Sequence, residues 1–197
     1  MKKYLLIAVL AVASVMAYAQ PRAIGVRLGS FDGISYQHGF GESSMLEVEA
    51  GFNVGTYWGA RINGTTDNVK WHMFGHNVQA AVTYDWIDPA GATFSWSKRG
   101  EWHWYLGVGA AGGYGWHGAA YDKTAGAIVG SDGNWGWVGG AARLGIEYTF
   151  WFPLQVSLDY RPTVGAGLVE RMDNKIMTGC YWDVLGLALS ARFRFNQ

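Results

Sequence analysis

Bulky apolar residues recur at every second position along residues 183–195. Leu185, Leu187, Leu189, Ala191, Phe193 and Phe195 fall on one face, and Gly186, Ala188, Ser190, Arg192 and Arg194 on the other. A period of two is the mark of a β-strand, whose successive side chains point to opposite faces. The stretch is longer than the roughly 5–6 residues of an ordinary strand and suits a tilted crossing of a bilayer, which takes about 9–11. The same alternation appears at Ile24, Val26 and Leu28; at Ile34, Tyr36, His38 and Phe40; and at Leu46, Val48, Ala50, Phe52 and Val54. It returns at Val78 to Trp86, Trp102 to Ala110, Val138 to Phe150, and Leu154 to Tyr160. Eight strands are therefore predicted. Asp32-Gly33, residues 41–44 and Trp151-Phe152-Pro153 supply short turns between them, whereas residues 57–74, 116–134 and 167–181, rich in Gly and polar residues, read as three long loops.

No segment after residue 20 is an unbroken apolar run long enough for a spanning helix. A bilayer-crossing chain without such helices must close into a β-barrel, since every backbone N–H and C=O in hydrocarbon needs a partner. Alternation alone does not say which face is inside. The second face decides: it is dominated by Gly, Ala and Ser with a few charges of both signs, unlike the Lys, Glu and Thr of a water-washed sheet. Small residues fit the lumen of an eight-stranded barrel, which is just wide enough for side chains to fill. The fold class predicted is all-β, an eight-stranded antiparallel up-and-down transmembrane β-barrel.

The inward charges then balance, with Arg27, Arg143, Arg161, Arg192 and Arg194 against Glu47, Glu49, Asp85, Glu147 and Asp159. Buried charges persist when paired and hydrogen-bonded, so an interior salt-bridge network filling the lumen is expected. Trp58, Trp86, Trp102, Trp104, Trp151, Phe152, Tyr160, Phe193 and Phe195 lie near strand ends, where amphipathic rings would form two girdles at the lipid–water interfaces. The loop tryptophans Trp71, Trp116 and Trp135 carry a rival reading as a carbohydrate platform.

Residues 1–19 have a basic start at Lys2 and Lys3, a short apolar core and Ala17-Tyr18-Ala19 before Gln20, the pattern of a cleaved secretory signal. The barrel domain is then 20–197. Charged residues make up 15% of the chain, below the roughly 25% of soluble proteins. Without Lys2 and Lys3, 13 basic residues face 15 acidic ones, so nothing attracts nucleic acid. Cys180 is the single cysteine and excludes an intramolecular disulfide.

With signal, alternating strands, aromatic strand ends and the terminal Arg192-Phe193-Arg194-Phe195 in hand, the chain resembles the small outer-membrane barrels of Gram-negative bacteria, the OmpA/OmpX-like group. The resemblance implies a place in the outer membrane, with outer-membrane lipid as its surroundings. It also implies recognition by the barrel assembly machinery through the final strand, where Phe195 stands in the family's aromatic position although Asn196 and Gln197 follow it.

Catalytic signals are weak. His72 and His76 are spaced as a helical metal pair but lie in or beside a predicted loop, without the Glu of His-Glu-x-x-His. His103 reads as a lumen histidine, with no Ser or Asp placed beside it by the sequence. His117 and Ser131 could meet across a loop, but no spacing brings them together. Neither cofactor nor metal is implied. The function expected is non-enzymatic anchoring and display, with loops 57–74, 116–134 and 167–181 as candidate sites for an extracellular ligand. The alternatives are a narrow channel or carrier for small apolar solutes and a lipid-modifying enzyme.

Overall fold

The computed structural model describes residues 21–53, 56–64, 70–74, 76–88, 99–122, 127–170 and 176–195. The predicted signal segment 1–19 lies outside them. Among the described residues there are twelve β-segments and no helix: β1 (Pro21–Gly29), β2 (Asp32–Gly39), β3 (Ser44–Asn53), β4 (Thr56–Gly64), β5 (Lys70–Phe74), β6 (His76–Ile87), β7 (Gly100–Asp122), β8 (Ala127–Phe150), β9 (Leu154–Tyr160), β10 (Thr163–Glu170), β11 (Ile176–Asp183) and β12 (Leu187–Arg194).

These segments close into a barrel with two tiers. In the lower tier β1, β2, β3, β6, β7, β8, β9 and β12 each pair antiparallel with the next, and β12 returns to β1 through Ala23↔Arg194 to Gly29↔Ala188. This is the eight-stranded barrel that the alternation predicts. In the upper tier β4, β5, β7, β8, β10 and β11 close a second ring of six, in which β4 and β11 meet directly through Ala60↔Asp183 to Gly64↔Gly179. The drop from eight to six has a local cause: the β1–β2 hairpin stops at Ser30-Phe31, and the courses that flank it below join above its tip.

Two of the hairpin's polar groups are tied to its neighbours. Ser30 N–H donates to the Leu187 carbonyl at 2.9 Å, and Asn53 Nδ2 donates to the Ser30 carbonyl at 2.9 Å. Proline breaks a ladder because it lacks an N–H. Pro162 does so between β9 and β10, while its carbonyl still accepts from Ala142 N–H at 3.1 Å, so the course continues past the break.

The upper tier corrects the loop assignments. Residues 57–74, 116–134 and 167–181 were expected to be loops, yet β4–β5, the distal parts of β7–β8, and β10–β11 occupy most of them as paired strands. The chain ends of the barrel and the turns at 40–43 and 151–153 share the lower end, opposite these hairpins.

Candidate functional site in the barrel interior

Alternation along β1, β3, β6, β8, β9 and β12 turns Arg27, Glu47, Glu49, Asp85, Arg143, Glu147, Asp159 and Arg192 inward, and all are buried, as is Arg161 just beyond β9. Glu47 sits at the centre. It accepts from Arg143 and Arg192, both at 2.5 Å, from Ser35 at 2.6 Å and from Gln37 at 2.8 Å. Arg143 also donates to Asp85 at 2.9 Å and to the Tyr105 hydroxyl at 3.1 Å, lies 3.4 Å from Asp159, and stacks over the Tyr105 ring. A second cluster forms where Arg27 Nη1 bridges Glu49 and Asp159, each at 2.7 Å, and Arg161 also pairs with Glu49.

Nine of the ten charged positions singled out in the sequence thus join one interior. Arg194 does not: it is half-exposed, its Nε has no hydrogen-bond partner, and it closes no ion pair among the described residues. The cation opposite Glu147 is Arg22, one residue ahead of the alternating stretch that marked the first strand. Ser35, Gln37, Gln155 and Ser157 complete the network as neutral partners. Their signal was their inward phase in the alternation, which the charge balance overlooked.

Phe31 closes this compartment from above. It belongs to the turn predicted around Asp32-Gly33, but its ring is turned inward and fully buried, 5.2 Å from the Arg27 guanidinium and 4.9 Å from that of Arg161. Gly51 permits this, since a Cβ there would stand 2.6 Å from Phe31 Cδ2. An aromatic face toward desolvated cations contributes up to about 2 kcal/mol. Phe31→Leu, which keeps an apolar plug and removes the ring, is expected to cost about 1–2 kcal/mol in urea unfolding of the folded barrel, on the same cation–π scale.

Above Phe31 the interior changes character. Trp135, Trp137, Ala141, Val169, Tyr181, Ala81 and Ala111 form an apolar cluster, and Trp137 stacks on Tyr181 with centroids 4.1 Å apart. Trp135 was expected on a loop, where a carbohydrate platform was the rival reading. It lies instead in β8 with its side chain buried, because in the upper tier β8 points its aromatic residues inward. Trp116 is on the outer face beside His76 and Tyr114, and the side chain of Trp71 is outside the described residues.

On the exterior, Trp86, Trp102, Trp104, Trp151, Phe152, Phe193 and Phe195 gather at the lower end, with ring contacts that take in Tyr84, Tyr148 and Phe150. One rim rather than two is therefore built from them, since β6, β8 and β12 end there and β7 begins there. Tyr160 stands higher, between Leu144 and Leu187 in the register. The side chain of Trp58 is outside the described residues.

His103 faces Asp88, with Nδ1 2.6 Å from Oδ2, so the acid partner that the sequence did not place is supplied by the residue that ends β6's course. No group of three metal-ligating side chains occurs among the described residues, and the side chains of His72, His117 and Ser131 are outside them. No family model matches the chain, and no curated protein matches it.

Proposed function

We propose that this protein is a non-enzymatic outer-membrane β-barrel, of the OmpA/OmpX-like kind, that anchors in lipid and displays its upper hairpins. The observation that carries the reading is the inversion of polarity across the wall. Val108, Val138, Leu158 and Val164 are each 52–65% exposed on the outside, while four arginines and six carboxylates are buried within. Large exposed apolar areas mark a surface made for another apolar phase. A closed barrel leaves no unpaired strand edge in that phase, which lets it be lipid. The lower aromatic rim fits one interface, and Tyr114 with Trp116 fits the other. The interior is occupied by side chains bonded to one another, which supports anchoring over conduction. The exposed Phe193 on β12 and Phe195 just after it suit recognition by the assembly machinery.

The test is refolding of residues 20–197 into detergent, followed by electrophoresis with and without boiling, and fractionation of cells that express the full chain. A boiling-dependent shift, recovery in the outer membrane and background single-channel conductance are expected. Recovery as a soluble periplasmic protein without a shift would overturn the proposal.

A further inference from the structure

In the charged compartment the donors left without a partner, Arg27 Nε and Nη2, Arg143 Nε and Arg161 Nε, belong to guanidinium groups already paired with carboxylates, whereas the aromatic tier above Phe31 leaves neutral donors unused. Trp135 Nε1, Trp137 Nε1 and Asn77 Nδ2 are buried and have no hydrogen-bond partner. They lie on one wall. The register sets Asn77 opposite Gly115 and Gly115 opposite Trp135, and one rung away it sets Gln79 opposite Gly113 and Gly113 opposite Trp137. The two glycines leave room for the indoles to lie across β7: a Cβ on Gly113 or on Gly115 would stand 2.6 Å from the Nε1 of Trp137 or Trp135. Both N–H groups are thereby carried toward the side where Asn77 and Gln79 face inward. Gln79 Nε2 donates to Asn77 Oδ1 at 2.8 Å, so the amide oxygen of Asn77 is taken and its NH2 is left over.

A buried donor without an acceptor is costly, and native proteins satisfy nearly all of them. Three in adjacent rungs make a patch that lacks acceptors only. Beside them the described lining is Val169, Ala111, Ala141 and the stacked Trp137–Tyr181 pair, with Thr163 and Asp183 buried at the level of Ala141. Among the described side chains, the arginines Arg27 and Arg161 lie against the Phe31 ring in the compartment below. We infer that the aromatic tier is a binding site for a small, neutral, flat apolar molecule bearing a carbonyl oxygen, which accepts from Trp135, Trp137 and Asn77 while its body packs against the rings. Because the donors are closed off from solvent, the ligand enters by displacing an indole from its resting rotamer.

The probe is 2-acetylnaphthalene, with 2-ethylnaphthalene as the same shape without the acceptor. The folded barrel in detergent, labelled with 15N at its tryptophans, reports through the indole N–H resonances, those of Trp135 and Trp137 being assigned by their loss in Trp135→Phe and Trp137→Phe. The expected result is a saturable downfield shift of these two resonances, with the ketone binding about tenfold or more tighter than the hydrocarbon, on the scale of a hydrogen bond made to an otherwise unpaired buried donor. Trp86 and Trp151, on the outer rim, should change only linearly with probe partitioned into detergent. The Phe variants, checked for the boiling-dependent shift, should each lose several-fold in affinity for the ketone and little for the hydrocarbon. Resonances of Trp135 and Trp137 that do not move, or that move equally with both probes, would overturn the inference and leave the donors hydrated by trapped water only. The comparison of the two probes uses the unaltered chain, so it holds even if a variant fails to fold.

Discussion

Arg143→Met is expected to destabilise the folded barrel by about 3–5 kcal/mol, the cost of leaving buried charge without its partner. Arg143 is fully buried, and its guanidinium joins Glu47, Asp85 and the Tyr105 hydroxyl while Asp159 lies 3.4 Å away. Methionine fills similar volume and offers no donor. Asp85 then keeps only the Thr83 hydroxyl at 3.1 Å, and Glu47 keeps Arg192, Ser35 and Gln37. Urea unfolding in lipid vesicles, followed by the boiling-resistant band, measures the loss. Arg143→Lys should recover only part of it, because a point charge cannot replace a fork that reaches three groups. Arg194→Met is the contrast: half-exposed and without an ion pair among the described residues, it should change stability by less than about 0.5 kcal/mol. Equal and small effects at both arginines would show that the buried network contributes nothing beyond its volume.

The same particulars show where the sequence could be read and where it could not. Alternation located the lower tier because there the two faces differ in one consistent sense, with Leu187, Leu189 and Phe193 outward and Ala188, Ser190 and Arg192 inward. It failed above, where bulky apolar residues stand on both faces, Val164, Leu168 and Ile176 outward among them. Trp135, Trp137 and Val169 turn inward and Gly136 and Thr178 turn outward, so paired strands lose the pattern and read as loops. The short β1–β2 turn was legible from Asp32-Gly33, but its consequence was not. That Phe31 would cap the charged compartment, and that β4 would meet β11 above it, depends on contacts between segments far apart in the chain. The inward charges were found by phase and sign. Arg22 was missed because it precedes the first alternating residue, and the unpartnered donors were missed because indoles carry no phase signal of their own.

Val108→Arg separates a lipid-facing wall from a water-facing one. Val108 is 55% exposed on the outer face of β7, between Trp104 of the lower rim and Tyr114 toward the upper end. If that face meets hydrocarbon, an arginine near the middle of the bilayer costs about 2–4 kcal/mol, falling to about 0–1 near an interface. Leu168→Arg supplies the second depth. The register carries Leu168 through Gly136 to Tyr114, so it belongs to the upper boundary. Unfolding of both variants in phosphatidylcholine vesicles should therefore give a loss at residue 108 that exceeds the loss at residue 168 by about 2 kcal/mol or more. A soluble barrel predicts otherwise, because an arginine placed on an exposed site in water changes stability by about 0.5 kcal/mol at either position. The Arg143 result does not make this distinction, since an ion network is buried in either case. The dependence on depth does, because only a bilayer distinguishes two equally exposed sites by their height on the wall.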